Sequence, residues 1–361
     1  MANFTDVSSF KKIIMYSGYK VVVNTAAGRR RYMRCLLPFV LSSPIVDRYD
    51  IWVNTLDKLD TAFFEELANV FPKIRLIWQP DGVVNGIASI NAFYRECCDE
   101  KTIYVKMDDD LVWIQPGFFE AMLDFRLSHP EAFLVSPLVI NNALCTYLLQ
   151  VNGKLKLDKY YNSQCAHPIL CFDGRFASEL HNWFLDTKLS CEKTQELKMG
   201  EMPMAMTRFS INCIIWFGKD LANISGQVEG DDEEFLSCIY PTRLKRGNFI
   251  NADVLCAHFA FGPQRDSLNE EDILFRYADE CRKQVQQGAQ DLKVAYEKVE
   301  SVLDWVEKET VKLLDCPTKY PNSAPRQQSA YKKLGRCLPK RVRAAMRELF
   351  PNRVKQYITE K

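Results

Sequence analysis

Four stretches of the chain gather residue types that do chemistry. "YVKMDDDLVW" (Tyr104–Trp113) ends an apolar run in three consecutive carboxylates, Asp108, Asp109 and Asp110. Three adjacent like charges repel one another, and a solvated turn needs only one aspartate. A divalent cation carrying phosphates offsets that repulsion, and hard oxygen ligands suit Mg²⁺ or Mn²⁺. The competing reading is an acidic loop at a strand end. "VEGDDEEFL" (Val228–Leu236) follows a glycine turn with four acids that open a helix. They either cap that helix or include a general base that deprotonates an acceptor hydroxyl. "VLCAHFAFGPQR" sets His258, one of four histidines, at the end of an apolar strand. Such a histidine is a core residue by default; with three aspartates available it becomes a third metal ligand.

The fourth stretch, "NTAAGRRR" (Asn24–Arg31), turns from strand to helix through small residues that let a backbone approach a ligand. It lacks the spacing of a dinucleotide fingerprint or a P-loop. Arg29, Arg30 and Arg31 stand near a helix N-terminus, where cations oppose the dipole unless an anion is also there. A solvated basic turn is one reading. The other has one arginine, Arg29, contacting a diphosphate.

The elements that must position these residues alternate in type. "YKVVVN", "DIWVN", "IRLIWQ" and "TIYVKM" have the length and residue types of strands, and "AFLVSP" (Ala132–Pro137) closes the series. Between them lie the helical patterns "RRYMRCLLPFVLSS", "LDTAFFEELANVF" with Leu59, Phe63, Leu67 and Val70 on one face, "GIASINAFYRECC" and "PGFFEAMLDFRLSH". Strands separated by helices predict βαβ units: an α/β fold with a mostly parallel sheet. In such sheets ligands bind beyond the carboxyl ends of the strands. "NTAAGRRR", "NTLD", "QPDGVVNG" and "DDD" all fall on that rim. Residues 140–225 are less regular, with "SINCIIWF" as a further strand. Helical periodicity returns over 268–314, and a Pro-rich break, "CPTKYPNSAPRQQ", precedes a basic tail. The division expected is a catalytic domain over 1–265, a helical extension over 266–316, and the break and tail over 317–361.

Composition narrows the class. A chain of 361 residues with a net charge of +1 has the balance of a globular protein and no global bias toward a polyanion. Its first ten residues lack the basic start and apolar core of a signal peptide, and no apolar run reaches the length of a membrane span. The 13 cysteines form no CxxC pair, which predicts buried free thiols in a reducing, cytoplasmic setting. The tail from Arg326 carries eleven Lys or Arg against two Glu, a net +9. With interleaved Leu334, Leu338, Val342 and Met346 it is either a basic helix packed on the domain or a peripheral contact with anionic membrane. No nucleic-acid motif accompanies it.

Together the first-strand loop, "KMDDDLVWI", "EGDDEEFL" about a hundred residues on, and the "CAHFAFGPQR" histidine resemble the GT-A class of nucleotide-sugar glycosyltransferases, over about residues 18–265. The resemblance implies a Rossmann-like GT-A fold and Mn²⁺ or Mg²⁺ bridging the diphosphate of a nucleotide-sugar donor. It also implies a hydroxyl acceptor on a glycan or lipid-linked glycan, during polysaccharide assembly. By position, Asp108 and Asp110 are the outer acids of a DxD motif and Asp109 its variable middle. Asp110 is the metal ligand, Asp108 meets the donor ribose or sugar directly or through the metal shell, and His258 completes that shell. Asn24, Thr25 and Arg29 match the loop that embraces the nucleotide. Asp81 and Asn91 lie where base and ribose are met, and Asp231 or Asp232 matches the base of inverting members. Two rivals remain. A sugar nucleotidyltransferase uses a similar sheet, but with an N-terminal loop close to GGxGTR, which "NTAAGRRR" does not match. A non-catalytic GT-A-like domain would bind sugars or scaffold an assembly.

Overall fold

The computed structural model describes residues 16–79, 84, 87–189 and 191–317. Strand β1 (Lys20–Ala27) lies between β2 (Arg48–Val53) and β4 (Thr102–Met107), with β3 (Ile74–Ile77) outside β2; all three pairings are parallel. A strand inside such a sheet is covered on both faces, which is why "KVVVNTAA" is buried nearly throughout and carries an unbroken Val21–Val23 run rather than an alternation. Helices α1 (Arg30–Ser42), α2 (Lys58–Val70) and α3 (Ile87–Phe93) make the connections from β1 to β2, β2 to β3 and β3 to β4. On α2 the inward face is Phe63, Phe64 and Leu67, with Leu59 and Val70 packed at its edges. Asp57 accepts from the backbone N–H groups of Leu59 and Asp60 to start that helix. "NTLD" therefore serves as a helix cap.

Beyond β4 the sheet is mixed. Strands β5 (Leu111–Ile114), β6 (Val135–Ile140), β7 (Glu201–Ala205), β8 (Cys213–Phe217) and β9 (Asn248–His258) complete nine strands in the order β3-β2-β1-β4-β8-β6-β9-β5, with β7 on β9. β8 runs antiparallel to β4, β6 parallel to β9, and β5 and β7 antiparallel to β9. The α/β architecture is the expected one, with its parallel character concentrated in residues 20–107. Helix α4 (Phe118–Ser128) follows β5.

Three local expectations need correction. β1 runs to Ala27, so Asn24 and Thr25 lie within the strand, in register with Asp50 and Ile51 of β2, rather than in the turn. The strand expected over 132–137 is shifted to Val135–Ile140. The irregular 140–225 region holds two helices of more than two turns, α5 (Ala143–Val151) and α6 (Gly174–Thr187), and the edge strand β7, besides the expected β8.

The helices over Glu270–Gln287 and Gln290–Lys308 fold back onto α1, burying Ile273, Tyr277, Val299, Val302 and Val306 in the same core as the sheet. Arg34 of α1 pairs with Glu300 at 2.6 Å. Among the glycines where no side chain fits, two back segments that carry site residues. A Cβ at Gly174 would collide with the backbone of Gln264 and Leu268, and one at Gly226, where φ is +64°, with the backbone of Tyr94. The eleven described cysteines are all unbridged. Among the described residues no helix is long and apolar enough to cross a membrane. The basic tail and Asp81 lie outside the described residues.

Candidate active site

At the corner where β4 ends, three successive carboxylates go to three different sets of partners. Asp108 stands two residues beyond Lys106, whose ammonium pairs with its Oδ1 at 2.5 Å and donates to the Ile211 carbonyl at 2.9 Å. Asn212 donates from its side chain to Asp108 Oδ2 at 3.1 Å. Asp109 turns back toward β1, accepting from the Gly28 backbone N–H at 2.8 Å and from Arg29 Nε at 2.9 Å. Asp110 meets Arg29 Nη1 at 2.9 Å and Arg265 Nη2 at 2.8 Å on one oxygen, and faces His258 on the other. Asp109 and Asp110 are buried, and each finds its cation within the protein. Arg30 likewise pairs with Asp60 at 2.6 Å and Arg31 with Glu270 at 2.9 Å. The anions needed at the start of α1 are therefore the chain's own carboxylates.

His258 makes the strongest case for a cation. Its Nδ1 lies 3.2 Å from the Asn141 carbonyl oxygen, which can only accept, so Nδ1 carries the proton. Nε2 then faces Asp110 Oδ1 at 3.5 Å. A neutral imidazole lone pair against a carboxylate is two acceptors face to face, and something positive has to lie between them. Without a metal that is a proton: burial works against a charged imidazole, yet Asp110 and then Asp108 raise its pKa above the ordinary value. Burial would also favour a neutral Asp110, but Arg29 and His258 outweigh it and hold the carboxyl down at about 2. Ligand atoms of Asp108, Asp110 and His258 all lie within 4.8 Å of one another. Two carboxylates and one imidazole suit Mn²⁺ or Mg²⁺, and these residues fit such an ion.

The same groups line a cavity of about 320 Å³, within the range of ligand pockets. Its lining adds Arg29, Lys106, Asn212, Arg265, Asp232 and Glu233, with Ile90, Ile211 and Phe261 as apolar wall. The second acidic run is divided by its backbone. Asp231 is the cap of the short helix Asp232–Glu234, accepting from the Glu234 N–H at 3.0 Å and pairing with Arg208 at 3.1 Å. Asp232, one residue on, reaches the cavity and accepts from the Tyr94 hydroxyl at 2.9 Å. Burial pushes its carboxyl above the ordinary value, with Lys106 and the Tyr94 hydroxyl pulling the other way. Glu233 is also raised by burial, opposed by bonding to Ser210 and by Arg208, whose Nε lies 3.3 Å from it.

Asn24 is fully buried in β1, and neither atom of its amide has a partner among the described residues. Thr25 accepts from the Tyr49 hydroxyl at 2.9 Å. Asn91 donates to the Val228 and Gly230 carbonyls at 3.2 and 2.9 Å, tying α3 to the turn that presents Asp232. Of the residues singled out in sequence, Arg29, Asp108, Asp110, Asp232 and His258 meet in the cavity lining; Asn24, Thr25, Asn91, Asp109 and Asp231 do not. Lys106, Asn212, Arg265 and Glu233 belong to the lining without having been singled out. Lys106 did leave a trace, as a charge inside an apolar strand, two residues from Asp108 and so on the same face.

No protein-family model matches the chain, and no match was found among curated proteins. Two solved structures are similar in outline. CMP:2-keto-3-deoxy-manno-octonic acid synthetase, complexed with CTP, aligns over 73% of this chain and 99% of its own at 12% identity, with a TM-score of 0.38. Residues 1–349 of S. aureus TarS align over 90% of this chain and 82% of that one at 10% identity, also with a TM-score of 0.38. At that level of superposition neither carries weight for the chemistry, which rests on the geometry above.

Proposed function

We propose that the protein is a metal-dependent glycosyltransferase, moving a sugar from a nucleoside-diphosphate donor to a hydroxyl of a glycan or lipid-linked acceptor with inversion. What supports this most is one cavity that joins a carboxylate–imidazole set fit for a divalent cation to a second carboxylate, Asp232, whose basicity burial has raised. A divalent cation bound by Asp108, Asp110 and His258 supplies counter-charge for a diphosphate leaving group. Arg29 and Arg265 add positive charge where that group departs. Asp232 takes the proton of the acceptor hydroxyl as its oxygen bonds to the anomeric carbon. The anomeric C–O bond to the diphosphate breaks in the same displacement, and its electron pair leaves with the nucleoside diphosphate. Tyr94 orients the Asp232 carboxylate through Oδ2, and Ile90, Ile211 and Phe261 give the cavity an apolar wall.

The test is release of nucleoside diphosphate from UDP-, GDP-, CDP- and dTDP-sugars, with Mn²⁺ or EDTA, for the native chain and Asp110→Asn. Release from one donor, lost with EDTA and with the substitution, is the expected result. Pyrophosphate release from a nucleoside triphosphate and a free sugar would instead establish a nucleotidyltransferase. Metal-dependent nucleotide binding without either reaction would establish the non-catalytic alternative.

A further inference from the structure

The three aspartates of the corner already have cations of their own chain beside them. Asp108, Asp109 and Asp110 stand against Lys106, Arg29 and Arg265, each carboxylate within ion-pair distance of at least one of these cations. A divalent cation entering alone would add positive charge to a largely buried site whose aspartates are already paired, and uncompensated charge there is costly. A diphosphate entering alone would meet the aspartates. Arriving together, the two nearly cancel.

The three cations are not equally held. Arg29 is engaged through Nε and both Nη atoms by Asp109 and Asp110. Lys106 is buried and fixed between Asp108 and the Ile211 carbonyl. Arg265 is bound through Nη2 alone, to Asp110 at 2.8 Å and to the Ala260 carbonyl at 3.0 Å. Its buried Nε has no partner among the described residues, and its side chain lines the cavity. It has donors to spare, and a planar guanidinium presents them in the fork that suits phosphate.

Resting on the reading of the donor as a nucleoside diphosphate held through a divalent cation, we infer that one of these three cations changes partner when that pair binds. Arg265 is the exchangeable element. It neutralises Asp110 while the site is empty and turns to the diphosphate as the metal takes over that carboxylate. Arg29, by contrast, stays fixed, holding the corner between β1 and the aspartates.

Calorimetric titration of Mn²⁺ into the native protein, alone and with UDP, GDP, CDP or dTDP, tests this, the Mn²⁺–nucleotide complex being measured separately. One nucleotide should tighten Mn²⁺ binding by about tenfold or more, and Mn²⁺ should tighten that nucleotide by the same factor. Arg265→Gln leaves Asp110 short of a cation, so it should bind Mn²⁺ alone more tightly than the native protein while losing most of the nucleotide-dependent gain. Simple damage to the site would weaken Mn²⁺ binding instead, and that result overturns the inference. Arg265→Lys keeps the charge without the fork; Mn²⁺ alone should bind as in the native protein, with a smaller gain from nucleotide. Should Arg265→Gln fail to fold, judged by its thermal transition, the lysine variant decides, and an undiminished gain overturns the inference. A nucleotide that binds equally well with and without Mn²⁺ overturns only this inference. Absence of any nucleotide binding overturns it together with the proposed function.

Discussion

The chain contains two acidic runs of similar composition, Asp108–Asp110 and Asp231–Glu234, and the structure uses them in opposite ways. The first lies at a corner between two buried strands, and its carboxylates separate to Lys106, Arg29 and Arg265. The second opens a short helix, where three of the four acids share one guanidinium, Arg208, at 3.1 to 3.3 Å. Only Asp232 escapes that sharing, and it alone bonds to Tyr94. Like charges side by side thus carry little information until the backbone decides whether they diverge. A buried corner requires a cation beside every acid, with Arg29 serving both Asp109 and Asp110. A helix start lets most of them serve the dipole and the cap.

The contrast can be broken most visibly at adjacent residues. Asp232→Asn should lower kcat by about a thousandfold, the scale of losing a general base, measured as transfer at saturating donor. Loss of less than about tenfold would remove Asp232 from that role. Next in size is the contrast in cations. Arg29→Gln strands the buried Asp109, while Asp110 keeps Arg265 and His258, and should cost about 3 kcal/mol of stability in urea unfolding, the lower end for breaking a buried pair. Arg208→Gln releases acids that solvent can still reach, and should cost about 1 kcal/mol or less. Equal costs would abolish the distinction between the runs.

The pH dependence of transfer sharpens the comparison further. Asp232 must be ionised to accept a proton, and burial raises its pKa, so the acid limb of kcat/KM should lie above the range of an ordinary aspartate. Lys106 is the leading influence that lowers it. Lys106→Gln should therefore move that limb to higher pH, and an unmoved limb would disconnect Lys106 from Asp232. The smallest effect belongs to Asp231→Ala, which removes the helix cap and should cost about 1 kcal/mol of stability, with transfer kept within about twofold of native once corrected for folded protein.

How much of this was legible follows from how local each signal is. Helices α1, α2 and α4 and strands β1 to β4 announce themselves because each buries its own apolar face. The 140–225 region hid more. Helix α6 does bury Phe176, Leu180 and Phe184 at a spacing of four, but the aromatic and polar residues around it mask that period. β7 is an exposed edge strand containing Pro203, with no buried face to leave a pattern. At the site, Asp108, Asp110, Asp232 and His258 could be singled out because each stands at an element's end in an unusual local context. Arg265 and Asn212 could not, since their bonds to Asp110 and Asp108 span 155 and 104 residues. Arg29 was legible as a cation near a ligand, but its engagement by Asp109 and Asp110 depends on how closely β1 lies beside β4.

Gly174 and Gly226, neither of which has room for a side chain, carry a consequence for how this sequence can change. Gly174 backs the turn that holds Arg265, and Gly226 backs the segment that holds Tyr94, the partner of Asp232. Neither touches the cavity, yet each sets the distance of a site-bearing segment from its support. A drifting lineage can therefore exchange many surface residues, but at these two positions even the smallest side chain displaces backbone. Among distant descendants of this fold with the same chemistry, positions 174 and 226 would be recognisable landmarks where the residues around them no longer are.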